Sequence, residues 1–353
     1  MARPAMPAVR KMAADVAAVS LERVPVPMPG PGQARIQVTG AGICGTDQHI
    51  LDGDYASRPP VTLGHEVAGF VDEVGPDVDR AWIGTLVAPE TAFSTCGACP
   101  WCLGGKPMLC RERVSIGSGT DGGFAGSVVV PAGLLHRLPD WLDPHAAALM
   151  EPLACVCNSV LDPNRIEPGD TVIVSGAGPV GLLAAQVARA GGGRVTLTGT
   201  DVDGERLAIA RGLGFATRNV ADPADRAALD EMGRARLVDA ILECAGAAPS
   251  VAAALRWLRP GGRLVQIGLI SGDVAVPFGE IVTRELSISA GFGSSPRAWR
   301  RAVRLVESGV VDLTPLVSHV FALRDHVAAF ERFAARDGLK TIFDPRLDDA
   351  PAN

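Results

Sequence analysis

The chain has 353 residues, long enough for two domains with separate cores. With 47% hydrophobic and 20% charged residues it has the composition of a folded protein and not of a disordered one. A net charge of -6 without a basic block argues against nucleic acid as a partner, and no apolar run approaches the roughly 18 residues that span a bilayer.

The N-terminal stretch has charge but no apolar segment of signal-peptide length, since Asp15 interrupts the only candidate, so the expected compartment is the cytoplasm. The proline-rich segment Pro25–Pro31 is extended or turning. From Gln33 to Thr39, Ala34, Ile36 and Val38 alternate with Arg35, Gln37 and Thr39, the two-residue period of a half-buried strand. This strand delivers the chain to Cys44-Gly-Thr46-Asp47-Gln-His49, and Leu63-Gly64-His65-Glu66 follows about twenty residues later. Cys44 and His65 are suitable zinc ligands, and Glu66 or Glu151 can complete a site that keeps one position open, as catalytic zinc requires.

The chain contains eight cysteines, and Cys96, Cys99, Cys102 and Cys110 fall within fifteen residues of one another. Gly97, Gly104, Gly105 and Pro107 make the intervening loop turn tightly. Four thiolates in so short a loop can surround one tetrahedral zinc and hold the loop without a large core. An iron–sulfur motif expects the fourth cysteine closer and followed by proline, whereas Arg111 follows Cys110.

Further on, Asp143 and Pro144 read as the N-cap and first position of a helix. Pro152 disfavours the helical conformation at the preceding residue, so a break is expected at Glu151 that turns its carboxylate toward the metal. Cys155 and Cys157 read as small buried helix residues.

Thr171–Ser175, the turn Gly176-Ala-Gly178-Pro179-Val180-Gly181 and the apolar run to Ala190 read as strand, phosphate-binding turn and buried helix, with Gln186 and Arg189 the only strongly polar residues of the helix. Asp201 stands where an acid binds the adenosine ribose. If the second strand ends at Gly199, that position is vacant, and Arg206 is near enough in sequence to contact a 2′-phosphate. NAD is the favoured cofactor and NADP the alternative. Val238–Leu242, Arg263–Ile267 and Glu285–Ala290 read as further strands. Trp299, Val303 and Val306 pattern a helix with Gly309 as its C-cap, and the tail from Arg346 is expected to be loose.

In this order and at these separations, Cys44-Gly-Thr46-Asp47-Gln-His49, Gly64-His65-Glu66, the four-cysteine lobe, Glu151-Pro152-Leu153 and Gly176 to Gly181 resemble the zinc-containing medium-chain alcohol and polyol dehydrogenases, over nearly the whole chain. The sorbitol dehydrogenase branch looks nearest, because Glu151 stands where alcohol dehydrogenases place a second zinc cysteine. The resemblance implies an α/β fold: a Rossmann-type doubly wound parallel sheet domain plus a mainly β, GroES-like catalytic domain. It places the catalytic domain at residues 1–155, with a structural zinc lobe at about 93–112, the nucleotide domain at 156–294 and a return to the catalytic domain at 295–353.

It further implies one catalytic and one structural zinc, and hydride transfer between a secondary alcohol and nicotinamide. Zinc acts as the Lewis acid, Thr46 as first proton carrier, His49 as relay to solvent and Asp47 as the carboxylate that orients His65. Ala245-Gly246 and Gly268-Leu269 line the nicotinamide side. The implied substrate is a polyol, sugar or cyclitol, with an amino alcohol as competitor. Phe93, where threonine dehydrogenases have a nearby histidine, counts against threonine itself. Leu51, Tyr55, Phe93 and Phe292 are candidates for shaping the pocket. Relatives are commonly homodimers or homotetramers. A non-catalytic zinc- and nucleotide-binding sensor is the alternative of another class, and a zinc-free reductase is disfavoured by the cysteine lobe.

Overall fold

Strands that alternate buried and exposed positions and strands buried along their whole length occur in different stretches of this chain, and they build two different sheets. The computed structural model describes residues 4–14, 18–161, 166–270 and 272–349; Asp15 and the end of the tail lie outside them. The chain divides into two units, one of Met1–Glu151, Ser294–Glu307 and Leu313–Asn353, the other of Pro152–Gly293 and Ser308–Asp312.

The first unit is mainly β. Its organising strand, Gln33–Gly42, alternates up to Val38 and is buried at every residue from Val38 on. It pairs antiparallel with Glu66–Val74, Ser127–Pro131 and Lys340–Phe343, at the middle of a seven-stranded sheet. Ile36, Val38, Ile43, Leu63, Val67, Phe124 and Phe343 form the core beneath it. The helix Pro296–Glu307 also belongs to this unit. Its Trp299 is fully buried, stacks on His136 at 4.9 Å and donates from Nε1 to Ser294 Oγ. Gly309 follows with φ +69°, the left-handed conformation suited to ending a helix.

The second unit is a six-stranded parallel sheet. In space its strands run Ala216–Asn219, Arg194–Gly199, Thr171–Ser175, Val238–Glu243, Leu258–Gln266 and Ser287–Ala290. Numbered within the unit this is the order 3-2-1-4-5-6 of a doubly wound dinucleotide fold, which places a switch point at the end of Thr171–Ser175. The final strand is shorter than expected, because Glu285 takes a positive φ of 50° and pairing begins only at Ser287.

Two further expectations fail for identifiable reasons. No break occurs at Glu151: a 3₁₀ turn, Ala146–Leu149, runs directly into the α-helix Met150–Val160. Pro152 lies in the first turn of that helix, where an amide has no intrahelical carbonyl to bond and its loss costs nothing. The tail is not loose from Arg346: Pro345–Asp349 form a 3₁₀ helix, and Asp348 accepts the backbone N–H groups of Leu323 and Arg324 at 2.9 Å.

Candidate active site

Cys44 caps the helix Gly45–Asp52, which starts where the central strand ends. The Cys44 N–H donates to Asp47 Oδ2 at 2.9 Å, so the helix start fixes both the thiol and the acid. The free oxygen of Asp47, Oδ1, is fully buried without a hydrogen-bond partner and lies 3.7 Å from His65 Nδ1. Glu66 opens the neighbouring strand and His65 immediately precedes it, and Cys44, His65 and Glu66 offer ligand atoms all within 4.8 Å of one another. Burial opposes charge on His65, but Asp47 and the Cys44 sulfur outweigh it and hold the imidazole well above its usual range. Surroundings this anionic suit a cation, so the donor set fits a divalent metal.

Glu66 has a partner that no motif announced. Lys340, on the strand Lys340–Phe343, is buried and donates to Glu66 Oε1 at 2.8 Å and to the Ile43 carbonyl at 3.1 Å, with Glu66 Oε2 at 2.6 Å. Burial disfavours its charge, but Glu66 first and then Cys44 raise the ammonium pKa above its usual value. Glu151, also buried, adds to the same field, although it is not among the atoms of the three-residue cluster.

Thr46 Oγ1 stands 3.8 Å from Cys44 Sγ, near enough to meet an oxygen held beside that sulfur. His49, in the last turn of the same helix, is partly exposed, with Nδ1 3.7 Å from Asp54 Oδ2. Leu51, Tyr55 and Phe93 pack on one core, and Tyr55 OH accepts from Arg113 at 3.0 Å. Phe292 belongs to the other unit.

The four-cysteine lobe is assembled as the cysteine spacing suggests. Sulfur separations of 3.5 Å (Cys99–Cys102), 3.6 Å (Cys96–Cys110) and 3.9 Å (Cys96–Cys102) match the edge of about 3.8 Å expected for a tetrahedron with Zn–S of about 2.3 Å. The Thr95 side chain, opposed by desolvation, leads in lowering Cys102 to about 7, and the N–H groups of Ala98 and Cys99 lower Cys96. The Cys102 N–H favours the Cys99 thiolate, but desolvation and the sulfurs of Cys102 and Cys96 push Cys99 up to about 11. Thiols so crowded gain from a cation that replaces their protons.

In the second unit, Gly176 has φ +102° and Gly178 caps the helix Pro179–Ala190, with Pro179 in its first turn. A Cβ at Gly181 would lie 1.8 Å from the Gly176 carbonyl oxygen, so the turn closes only on glycine. Pro179, Val180 and Gly181 thus occupy the first turn of a helix whose free amides suit a phosphate. The second strand ends at Gly199, and Asp201 opens a 3₁₀ turn two residues later, exposed and accepting from Asn219 Nδ2 at 2.6 Å. Arg206 Nη1 lies 3.5 Å from Asp203 Oδ1, so a local carboxylate competes for the guanidinium.

The turns Ala245-Gly246 and Gly268-Leu269 are brought together: a Cβ on Gly246 would lie 2.3 Å from the Leu269 oxygen, and one on Gly268 2.5 Å from the Gly246 nitrogen. What braces them carries no signal in the sequence. Glu243, fully buried at the end of its strand, accepts the N–H groups of Ala245 at 3.0 Å and Gly246 at 3.1 Å and an amide hydrogen of Gln266 at 2.5 Å.

A parallel sheet with a glycine turn at its switch point, in one chain with a buried thiol–imidazole–carboxylate cluster and a four-thiolate lobe, defines a metal-bearing nucleotide-dependent oxidoreductase. Residues 30–140 match the alcohol dehydrogenase GroES-like domain, and residues 179–308 the zinc-binding dehydrogenase domain. A sorbitol dehydrogenase of Halalkalibacterium halodurans is 34% identical over 92% of this chain and 95% of its own length. An L-threonine 3-dehydrogenase of Anaeromyxobacter sp. (strain K) is 33% identical over 91% of this chain and 93% of its own. Among solved structures, a zinc-binding dehydrogenase homologue from Sinorhizobium meliloti 1021, bound to NADP, is 34% identical, with a TM-score of 0.87 over 97% of this chain and 100% of that one. The chain therefore belongs to the zinc-containing medium-chain dehydrogenase family and is polyol-dehydrogenase-like. It is a zinc- and NAD(P)-dependent dehydrogenase of alcohols.

Proposed function

We propose that the enzyme oxidises a secondary alcohol of a polyol, sugar or cyclitol with NAD, or runs the reverse reduction. The observation that carries this reading is the cluster of Cys44, His65 and Glu66 in the β unit, with Glu151 buried nearby in the same field. In this reading Cys44, His65 and one of the two carboxylates, Glu66 or Glu151, hold the catalytic zinc, and Cys96, Cys99, Cys102 and Cys110 hold a structural one. When bound, the catalytic zinc polarises the alcohol oxygen and lowers its pKa, and the nicotinamide accepts the hydride. Thr46 receives the alcohol proton on Oγ1 and His49 releases it to solvent from the exposed end of its helix. Asp47, through Oδ1, fixes the ring of His65.

The first unit is accordingly the catalytic domain and the second the nucleotide domain. Gly176 to Gly181 cradle the pyrophosphate, and the paired turns at Ala245-Gly246 and Gly268-Leu269 bound the nicotinamide side. Asp201, exposed with its carboxylate already oriented by Asn219, supports NAD, because a 2′-phosphate there meets negative charge. NADP is the second reading, favoured by the end of the second strand at Gly199, which leaves the usual position of the acid vacant, and by the NADP bound in the Sinorhizobium relative, with Arg206 as its contact. An amino-alcohol substrate is the alternative favoured by the threonine dehydrogenase relative.

Homo-oligomers are proposed through the nucleotide domain. Ser287–Ala290 is an edge strand carrying exposed Ile288, with Phe278 and Val282 more than 70% exposed on the helix before it. Among the described residues no disulfide joins any of the cysteines, which suits the reducing cytoplasm, and no helix is long and apolar enough to cross a membrane.

The test is a steady-state screen of polyols, cyclitols, sugars and amino alcohols with NAD and NADP, with zinc measured on the same sample. Turnover of a hydroxylated chain or ring with NAD at two zincs per chain is expected. Silence across the panel with the Cys44 zinc absent would instead favour the sensor reading.

A further inference from the structure

The four-cysteine lobe leaves and rejoins the β unit through a short antiparallel pair, Ala92–Ser94 with Val114–Ser115. Arg113 stands at the exit, shortly after Cys110, and its N–H donates to the Cys110 carbonyl at 3.2 Å. From there Arg113 Nη2 reaches Tyr55 Oη at 3.0 Å, across 58 positions of sequence. Tyr55, the only tyrosine of the chain, is half-buried between exposed Asp54 and Ala56. Its ring packs on the same core as Phe93. Its N–H and that of Asp54 donate to the His49 carbonyl at 3.1 and 2.9 Å. A continuous hydrogen-bonded path thus runs from Cys110 through Arg113 and Tyr55 to the turn that follows His49.

We propose that Arg113 is a positioning residue through which the lobe, when its four thiolates hold zinc, sets Tyr55 against the bound alcohol. This rests on the reading of the Cys44 helix as the alcohol's side of the site and of the four cysteines as zinc ligands. Trp101, Leu103 and Leu109 are exposed, so the lobe has little core of its own and its thiolates keep their places by sharing a metal. Once they no longer share one, the Cys110 turn is released, Arg113 leaves Tyr55, and the ring shifts. Alcohol binding then weakens, while Thr46 and His49, fixed by their own helix, still pass the proton. A lobe that served stability alone would not move Tyr55 in a folded chain.

The single tyrosine provides the readout. Labelled with 3-fluorotyrosine, the chain has one fluorine resonance, that of Tyr55. Arg113→Met should move it. So should withdrawal of the lobe's zinc by a chelator from Cys44→Ser, a variant that keeps only that zinc. Chelation of Cys44→Ser combined with Arg113→Met should leave the resonance where Arg113→Met put it, because the path is already cut. With Cys44 intact, Arg113→Met should raise KM for the alcohol about tenfold, the scale of one hydrogen bond from a charged donor, with kcat within about twofold. Tyr55→Phe should do the same, and the two together no more than either alone. Should Arg113→Met not fold, Tyr55→Phe and the chelation of Cys44→Ser decide the matter. A resonance unmoved by chelation overturns the proposal, as does one that moves equally far with Arg113 already replaced. An unchanged KM in Arg113→Met or Tyr55→Phe overturns it too. A chain that turns over no alcohol would overturn the functional reading, while the resonance would still decide whether the lobe sets Tyr55.

Discussion

Glu243 offers a sharp test of how the nucleotide domain is held together. Oε1 accepts one hydrogen bond, from Ala245 N–H, and Oε2 accepts two, from Gly246 N–H and Gln266 Nε2, with no solvent access. In Glu243→Gln the amide oxygen serves best in the Oε2 position, keeping two bonds, and its NH₂ then faces the Ala245 N–H, donor against donor. One buried donor left unpaired costs about 1–3 kcal/mol, and two charge-assisted bonds reduced to neutral ones lose about 1 kcal/mol each, so a loss of about 3–5 kcal/mol is expected. Glu243→Ala orphans three donors and leaves a cavity, and should cost at least as much. For a unit of this size each kcal/mol shifts the midpoint by about 2–4 °C, so calorimetry should show the nucleotide domain of Glu243→Gln melting roughly 6–20 °C lower. The first unit should melt unchanged. A shift of less than about 2 °C, or Glu243→Ala more stable than Glu243→Gln, would refute the reasoning.

Cys44→Ala and His65→Ala should abolish turnover while titration still shows the nicotinamide cofactor binding, since these residues and the glycine turn belong to different units; retained activity with the catalytic zinc gone would contradict the mechanism. Cys102→Ala should lose one zinc per chain and make the lobe susceptible to limited proteolysis, because exposed Trp101, Leu103 and Leu109 leave it little core of its own. Asp201→Ala should weaken NAD more than NADP in binding assays, and an unchanged ratio would mean that the ribose is read elsewhere. Burial raises the pKa of Asp344, but bonds from His145 and Arg346 outweigh that and hold it well below the usual carboxylate range. Its folded pKa being depressed, its contribution is complete above about pH 4 and is lost as pH falls further. Asp344→Asn should therefore be less stable than wild type at neutral pH in urea unfolding, and the gap should narrow steadily below about pH 4; a constant gap would count against the assignment.

Residues that act together and lie close along the chain are legible in the sequence itself. The thiolate lobe spans Cys96 to Cys110, the capped helix keeps Cys44, Thr46, Asp47 and His49 on adjacent turns, and the glycine turn is one continuous segment. Relations made by strand pairing are not legible there. Lys340 lies 274 positions from Glu66, without a flanking motif, and only the order of three strands brings them together. Glu243 is hidden for another reason: a carboxylate that accepts its own turn's N–H groups looks like any acidic residue followed by small ones. Pro152 misleads for a third, since its bias on the preceding residue is too weak to break a helix in whose first turn it forfeits no hydrogen bond, and the sequence does not show that it stands there. Arg206 shows the same limit, because its neighbour Asp203 competes for it.

The two units also differ in how the chain supplies them. The parallel-sheet unit occupies one run, Pro152–Gly293, completed by Ser308–Asp312, whereas the mainly β unit is drawn from three separated runs. During synthesis the strand Gln33–Gly42 emerges early, but the partner of its last two residues, Lys340–Phe343, is translated about 300 residues later. Until then the end of that strand, Ala41–Gly42, is unpaired on one side, the kind of edge on which nascent chains aggregate or recruit chaperones. The ribosome thus delivers a finished parallel-sheet unit ahead of a β unit that closes only with one of the last strands to be made. Stalling or truncation near the C-terminus therefore removes Lys340 and its strand together, leaving Glu66 without its hydrogen-bond partner.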